Sequence, residues 1–419
     1  MAEIFSGRLA VIGLGYIGLP TAVALATRGI DVVGVDTNPR TVDAVEQGNV
    51  PLVEPDLAVG VTGAVAMGRL KATTETPEAD AYIIAVPTPF NADHTADLSY
   101  IRNAAEQIAP KLHGGEIVVV ESTSPPGTTE TVSRWLGELR PDLVLPHATE
   151  GIPDVYVAHC PERVLPGRIM IEMVTNDRVV GGVSPRCAVK AASIYRVFSQ
   201  GKILLTDAAS AEMAKLVENA YRDVNIAFAN ELSLICDSLK LDVWEVIKMA
   251  NRHPRVNILS PGPGVGGHCI AVDPWFIVGA APELSPLIRT AREVNDGKPQ
   301  HVANQVIRTT RRFRDPVVAC LGLTFKANID DIRESPARDV VSLIAEALPN
   351  VDIRVCDPYV GELPPELADR PNVRLQRASE AIADADVVAL LVEHDKFKAL
   401  SRNLLEGKVV FDTRGVWRH

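Results

Sequence analysis

Short apolar runs punctuated by glycine and charged residues mark the first half of the chain. The runs at 8–12, 31–35, 81–86, 117–121 and 178–181 are almost continuous Val, Ile, Leu and Ala, the pattern of strands covered on both faces. Between them lie stretches with apolar residues three or four apart, the spacing of helices packed on one side. Alternating β and α segments predict a parallel sheet with helices on both faces. The rhythm changes near Ala208. Residues 211–239 keep helical spacing without a strand-like break, and 243–251 form a second helical stretch. A loop at 260–268 then holds Pro261, Gly262, Pro263, Gly264, Gly266 and Gly267, and a further helix is predicted over 286–312. Beyond Arg314, strand-like runs return at 316–321, 352–356, 386–391 and 409–411. The expected fold class is α/β. The expected domains are an N-terminal α/β domain over 1–206, a helical middle over 207–314 and a C-terminal α/β domain over 315–419.

One run invites a different reading. Residues 9–27 carry no charge and are long enough to span a bilayer, and Ala22-Val23-Ala24 resembles a signal-peptidase site. Yet the segment ahead of it has one Arg and one Glu, with no basic cluster, and Gly13, Gly15, Gly18 and Pro20 interrupt the run. A strand at 9–12, a glycine turn and an Ala-rich helix account for the same residues. The expectation is a cytoplasmic protein with no membrane partner.

Composition narrows the function classes. The 419 residues are 47% hydrophobic and 23% charged, ordinary globular values that exclude a disordered chain. Lys and Arg total 42 against 53 Asp and Glu, a formal net charge of −11. An acidic chain is a poor coat for phosphate backbones, and nine Phe, seven Tyr and four Trp offer few stacking platforms, so no nucleic-acid partner is expected. Cys160, Cys187, Cys236, Cys269, Cys320 and Cys356 form no CxxC pair, which speaks against a structural zinc site and fits a reducing compartment. No metal site is expected.

The glycine turn carries the first chemistry. Gly13-x-Gly15-x-x-Gly18 follows a predicted strand and opens a predicted helix. In this motif one glycine makes the tight turn, one admits a pyrophosphate, and one lets helix and strand pack closely, with the helix N-terminus facing the phosphates. Asp36 ends the second strand, 18 residues after Gly18. A carboxylate there accepts hydrogen bonds from ribose hydroxyls and repels a 2′-phosphate, so the expected cofactor is NAD and not NADP.

A second cluster is Gly266-Gly267-His268-Cys269, in the Pro/Gly loop that ends at Asp273-Pro274-Trp275. A lone cysteine is by default a small buried hydrophobe. Glycines beside it let a ligand approach the backbone closely. A thiolate beside a nicotinamide can add to an aldehyde as a thiohemiacetal, and hydride loss then leaves a thioester for water to cleave. Asp273 is placed to position that water or act as base. Lys215 and Asn219 share one face of the predicted helix at i and i+4; on an isolated helix Glu212 and Glu218 would pair with Lys215. Glu162-Arg163 and His253-Pro254-Arg255, taken alone, read as surface charge.

These residues together resemble the UDP-glucose/GDP-mannose dehydrogenase family over essentially the whole chain. The matching segments are GLGYIGLP (13–20), VPTPF (86–90), ESTSPPGTT (121–129), CPERVLPG (160–167), AEMAKLVENA (211–220), GVGGHCIAVDPW (264–275) and GLTFKANIDDIRESPA (322–337). The resemblance implies two Rossmann-like doubly wound domains joined by a helical dimerisation segment. It implies two successive NAD-dependent oxidations at C6 of a UDP-sugar and a place in polysaccharide biosynthesis. Within the family, NRHPRVNI (251–258) with GGHCIAVDPWF is most similar to members that convert UDP-N-acetyl-D-mannosamine to the mannosaminuronate. The resemblance makes Cys269 the nucleophile, Lys215 the base or oxyanion stabiliser and Asn219 its partner. Asp273 and Thr123 would orient water and base, and Glu162 would be a carboxylate near the thioester. Cofactor contacts carry over to Gly13, Gly15, Tyr16, Ile17, Gly18, Asp36, Arg40, Thr88, Thr123, Thr129 and Arg333. Sugar-nucleotide contacts carry over to Arg163, Val164, Lys215, Asn219, Arg222, Gly266, Phe325, Lys326 and Arg414. His253 and Arg255 match residues that reach the neighbouring subunit's site, which makes a homodimer part of the expectation.

Departures from the family pattern point away from UDP-glucose. UDP-glucose dehydrogenases usually have an aromatic residue where Arg163 stands, Ser at His268 and often Lys at Val272. The C-terminal segment has no second G-x-G-x-x-G, which fits UDP binding better than a second dinucleotide. A few cations inside a cleft, Lys215, Arg163, Arg255, Lys326 and Arg414, reconcile an acidic protein with a diphosphate substrate. The rival readings are the same chemistry on UDP-GlcNAc or UDP-glucose, a two-electron hydroxyacid dehydrogenase that needs no Cys269, and an NAD-binding redox sensor with Cys269 as its reporting thiol.

Overall fold

The computed structural model describes residues 4–50, 54, 56–91, 93–164, 167–267 and 269–418. His268, and Leu165 and Pro166 of the CPERVLPG segment, lie outside the described residues. The chain divides into two compact units, 1–218 and 219–419.

In the first unit eight strands form one sheet: β1 (Arg8–Ile12), β2 (Asp31–Val35), β3 (Leu70–Thr73), β4 (Ala81–Ile84), β5 (Ile117–Val120), β6 (Tyr156–His159), β7 (Arg178–Gly182) and β8 (Ile203–Asp207). Their order is β3-β2-β1-β4-β5-β6-β7-β8, parallel throughout except for β6 against β7. Side chains alternate between two cores. Leu9 and Val11 enter one with the helix Gly18–Ala26, while Ala10 and Ile12 enter the other with the helix Ser99–Ile108. Burial on both faces explains why the central strands β1, β4 and β5 are almost uniformly apolar. Residues 9–27 are thus a strand, a turn and a helix, and no described helix is long and apolar enough to cross a membrane.

In the second unit five parallel strands, β9 (Val317–Leu321), β10 (Asp352–Cys356), β11 (Val373–Leu375), β12 (Val387–Leu390) and β13 (Val409–Asp412), lie in the order β11-β10-β9-β12-β13. Val318 and Cys320 face one core and Ala319 and Leu321 the other. The same unit contains the helices Val243–Ala250, Asp273–Ala280 and Pro286–Thr310. The helix Ala208–Leu239 runs unbroken across the division of the chain. The expected α/β class with two doubly wound sheets holds. Four strands escaped the sequence pattern, β3, β6, β8 and β11, because polar residues interrupt their apolar runs (LKAT, YVAH, ILLTD, VRL).

Candidate active site

In the first unit the chain leaves β1 for β2 on one side and returns to β4 on the other, which opens a crevice at the C-terminal ends of β1 and β4. The glycine turn lies there. Gly13 has φ +98° and donates its N–H to Val35 O at 2.7 Å. A Cβ on Gly18 would stand 1.8 Å from Gly13 O, so helix and turn meet backbone to backbone. Gly15 is exposed, and a Cβ there would meet no protein atom within 4 Å. The protein's own packing does not require glycine at 15; close approach of a phosphate does. Asp36 accepts the N–H groups of Leu14 at 3.0 Å and Asn38 at 2.9 Å, which fixes its half-buried carboxylate beside the turn. Carboxylate oxygens have lone pairs to spare for ribose hydroxyls. These residues fit NAD. Arg40 stands exposed in the first turn of the helix Pro39–Glu46, and Tyr16 and Ile17 are half-buried at the mouth of the glycine turn.

The loop after β5 is tied across the same edge of the sheet. Thr88 Oγ1 donates to Thr123 O at 2.5 Å, and Ser122 Oγ donates to Val86 O at 2.7 Å. Thr129, expected to touch the cofactor, is fully buried; its N–H and hydroxyl donate to Glu212. Gly127 N–H donates to the other Glu212 oxygen at 2.6 Å. Glu212 therefore holds the start of the helix Thr128–Leu139 and is not a partner for Lys215, and burial pushes its carboxyl up to about 7. Glu218 pairs with Arg163 at 3.0 Å. The Lys215 side chain is half-buried, with both candidate carboxylates on its helix engaged elsewhere.

Behind these loops lies a buried polar cluster. Glu162 is 8% exposed; one oxygen takes the Arg178 guanidinium at 3.0 Å and the other the Arg163 N–H at 2.8 Å. Glu121 accepts the Tyr195 hydroxyl at 2.8 Å and the Thr21 hydroxyl at 3.1 Å, and burial, reinforced by Glu162, pushes its carboxyl up to about 7. Val164 packs half-buried against the core.

The second unit holds the cysteine loop. Cys269 is exposed, whereas the other five cysteines are buried. The N–H groups of Val272 and Asp273 both donate to Cys269 O, at 3.1 and 2.8 Å, which seats the cysteine on the N-terminus of the helix Asp273–Ala280. Asp273 is 2% exposed and accepts a hydrogen bond from Asn219 Nδ2. Gly266 and Gly267 are close-packed. A Cβ on Gly266 would meet Glu334 O at 2.2 Å, and one on Gly267, at φ +85°, would meet the Phe325 ring at 2.8 Å. The Arg414 guanidinium lies against Gly262 and pairs with Glu393. Cys269, Asn219, Asp273, Gly266, Phe325 and Arg414 thus belong to one locally connected arrangement. Lys326 and Arg222 stand exposed, and Arg333 pairs with Asp331 at 2.7 Å. His253 and Arg255 are exposed on a loop whose ends are clasped by the Asn251 side chain, which bonds the N–H and C=O of Ile258 at 2.7 and 3.0 Å.

The loop is anchored by polar residues that spacing did not single out. Gly262 N–H donates to Asn230 Oδ1 at 2.9 Å; Asn230 Nδ2 donates to Asn295 Oδ1 at 2.8 Å; Asn295 Nδ2 donates to Asp223 Oδ1 at 2.8 Å. Arg292 closes the relay on Asp223 at 2.6 Å, with both side chains at most 1% exposed. Below it Lys298 Nζ donates to Ser233 Oγ at 2.6 Å, and burial lowers its ammonium to about 8. Among the described residues no group of three or more His, Cys, Asp or Glu is gathered to hold a metal.

Comparison with known proteins gives a consistent answer. The chain matches the NAD binding domain of the UDP-glucose/GDP-mannose dehydrogenase family over 7–199, its central domain over 209–297 and its UDP binding domain over 319–419. It is 56% identical over 416 residues to an NDP-N-acetyl-D-galactosaminuronic acid dehydrogenase of Ralstonia solanacearum, covering 99% of this chain and 97% of the relative. It is 51% identical over 418 residues to the UDP-N-acetyl-D-mannosamine dehydrogenase of Escherichia coli K12, covering 98% and 99%. A solved UDP-D-ManNAc dehydrogenase from Pyrococcus horikoshii superposes with a TM-score of 0.87 at 37% identity, covering 98% of this chain and 96% of that one. The chain belongs to the UDP-glucose/GDP-mannose dehydrogenase family.

Proposed function

From this family membership we infer that the chain catalyses the NAD-dependent, four-electron oxidation of UDP-N-acetyl-D-mannosamine at C6 to UDP-N-acetyl-D-mannosaminuronate. The cofactor is NAD, and the coarse activity, oxidation of a UDP-sugar, rests on the family as a whole. The observation that supports the four-electron cysteine route is the pairing of Asn219 with Asp273 beside an exposed Cys269, and the choice of sugar rests on the 51% identity to a UDP-N-acetyl-D-mannosamine dehydrogenase.

In this reading the C6 alcohol, two NAD⁺ and one water become a carboxylate, two NADH and three protons; NAD, when bound, would supply the hydride acceptor for each oxidation. Lys215 takes the alcohol proton or holds the oxyanion, with Asn219 donating beside it. The Cys269 thiolate adds to the aldehyde carbon, forming a C–S bond as the carbonyl π pair moves to oxygen. Loss of the second hydride leaves a thioester on Cys269. Asp273 and Thr123 orient the water that breaks the C–S bond, returning the thiol, and Glu162 assists that cleavage. The domain assignment follows: 1–206 for NAD, 207–314 for dimerisation and the cysteine loop, 315–419 for the UDP-sugar. Arg163, Val164, Arg222, Gly266, Phe325, Lys326 and Arg414 take the sugar nucleotide, with His253 and Arg255 serving the neighbouring subunit of a homodimer. The product feeds polysaccharide biosynthesis.

A second reading keeps the mechanism and changes the sugar. The 56% relative bears a galactosaminuronic name, which supports an N-acetylhexosamine of galacto configuration. NADH formed per UDP-sugar consumed, measured with UDP-ManNAc, UDP-GalNAc, UDP-GlcNAc and UDP-glucose, tests both. About two NADH per UDP-ManNAc, with little from the others, supports the proposal, because the cysteine route yields two hydrides. Preference for UDP-GalNAc or UDP-GlcNAc keeps the chemistry and overturns the sugar. One NADH per sugar, or full activity in Cys269→Ser, overturns the thioester route in favour of a two-electron dehydrogenase. NAD binding without turnover leaves the redox sensor.

A further inference from the structure

The two units build their strand-end crevices by the same set of hydrogen bonds. In the first, Gly13 N–H donates to Val35 O at 2.7 Å, Leu14 N–H to Asp36 Oδ2 at 3.0 Å, and Asn38 N–H to Asp36 Oδ1 at 2.9 Å. In the second, Gly322 N–H donates to Cys356 O at 2.7 Å, Leu323 N–H to Asp357 Oδ2 at 2.8 Å, and Tyr359 N–H to Asp357 Oδ1 at 2.9 Å. Asp357 therefore stands in its unit where Asp36 stands in the other. The surroundings differ. Asp36 is half-buried and open to a ribose, whereas the Asp357 side chain is wholly covered, because His394 Nε2 lies 3.1 Å from Asp357 Oδ2.

The hydrogen-bond donors around His394 fix its tautomer. Asn328 N–H donates to Nδ1 at 2.9 Å, so Nδ1 carries a lone pair and Nε2 carries the proton that Asp357 accepts. Thr324 Oγ1 lies 3.2 Å from the same Nε2 and donates its own proton to Lys326 O at 2.9 Å. The imidazole is fully buried, with the Tyr359 and Phe397 rings at centroid distances of 5.2 and 5.3 Å. Loop 322–328 leaves β9 between β10 and β12, at the point where the strand order reverses. It is gripped at its start by Asp357, through the Leu323 and Thr324 N–H groups, and at its end by His394, through Asn328. Between the grips lie Phe325, its ring close against Gly267, and the exposed Lys326.

We propose that His394 is a positioning residue for the sugar nucleotide. It occupies the carboxylate that in a dinucleotide crevice would face a ribose, and it locks loop 322–328 so that Phe325 and Lys326 are pre-arranged for the UDP-sugar. This rests on the assignment of Phe325 and Lys326 to that ligand under the proposed function. His394 touches neither substrate nor reacting atoms; its effect passes through the loop.

The test uses the full-length enzyme with His394→Leu, which removes both ring bonds, and His394→Asn, whose side-chain oxygen keeps an acceptor where Nδ1 stood. UDP binding by titration calorimetry and steady-state KM for NAD and for the best UDP-sugar are measured on each. The expected result is UDP affinity and UDP-sugar KM weakened about tenfold or more in His394→Leu, the scale of one lost buried hydrogen bond. The KM for NAD and the kcat at saturation stay within about twofold, and His394→Asn recovers most of the loss. Unchanged UDP affinity in His394→Leu overturns the proposal, as does an equal loss of NAD affinity, which marks a general structural defect. Wild-type enzyme that fails to bind UDP overturns the functional reading itself, and this proposal with it.

Discussion

Asn219 and Asp273 are joined by a side-chain hydrogen bond, amide to carboxylate, although 54 residues separate them in the chain. The bond buries the Asp273 carboxylate at 2% exposure at the start of the helix that begins four residues after Cys269. Two side chains proposed to act in the same reaction thus fix each other's orientation. Asp273→Ala removes both the bond and the carboxylate proposed to orient the water, and kcat should fall about 10²–10⁴-fold. Thioester cleavage is the step affected, so intact-mass measurement should find the acyl group retained on Cys269. Asp273→Asn keeps an acceptor for Asn219 without the charge and should retain the fold at wild-type stability with little of the activity.

Asp36 should decide between the two nicotinamide cofactors. Its carboxylate is pinned by the Leu14 and Asn38 N–H groups at the end of β2. Replacing it with serine removes the charge that repels a 2′-phosphate and weakens the bonds to the ribose. The ratio of kcat/KM for NAD over NADP should fall about tenfold or more in Asp36→Ser, read from parallel assays with both cofactors.

The glycine turn was legible from sequence because its demands are local. Gly13 needs a positive φ and Gly18 a backbone-to-backbone contact, and no other residue satisfies either. Long apolar strands were legible for the same reason. What the sequence concealed are polar residues whose partners lie far along the chain. Helical spacing offered Glu212 to Lys215, three residues away, but its partner is Thr129, 83 residues away. Asn230 and Asn295, separated by 65 residues and on different helices, meet in a buried relay that no local spacing signals. His394 sits in a short polar stretch after β12, and nothing nearby in sequence signals Asp357.

That relay yields a stability prediction. Asp223 and Arg292 form an ion pair at 2.6 Å, both at most 1% exposed. Arg292 also pairs with Asp296, so Asp223→Ala leaves its charge partly compensated and the Asn295 amide without this acceptor. The loss should be about 1–3 kcal/mol, whereas Asp223→Leu with Arg292→Met should cost less. Urea unfolding of the three variants gives the comparison. Because the relay ends on Gly262 of the cysteine loop, Asp223→Ala should also raise the rate of Cys269 alkylation by iodoacetamide.

Glu121 and Glu212 set a pH dependence of stability. Burial raises both carboxyls to about 7 in the fold, above the ordinary 4.5. Between about pH 4.5 and 7 the native state therefore holds more protons than the unfolded chain, and stability falls as pH rises through this window. The contribution is fully present below the unfolded value and lost above the folded one. Glu121→Gln cannot titrate and should flatten part of that decline, seen as a smaller change in unfolding midpoint between pH 5 and 8.

The final prediction concerns a second copy of the chain. On the helix Ala208–Leu239, Tyr221, Phe228, Ile235 and Leu239 are 72, 54, 48 and 62% exposed. Their spacing of seven, seven and four residues puts all four on one helix face, since seven residues advance two turns less about 20°. A row of large apolar side chains along one face is what an isologous helix contact buries. In the proposed homodimer, Phe228→Glu with Ile235→Glu should shift sedimentation to the monomer. If His253 and Arg255 serve the partner's site, that monomer is inactive at any concentration. Mixing Cys269→Ser with Arg255→Ala under conditions that allow subunit exchange gives a sharper test. Each parent is inactive, but every heterodimer contains one site with both residues intact. Random exchange makes about half the dimers heterodimers with one of two sites restored, so about a quarter of wild-type activity should return. No recovery after demonstrated exchange would place Cys269 and Arg255 in the same subunit's site.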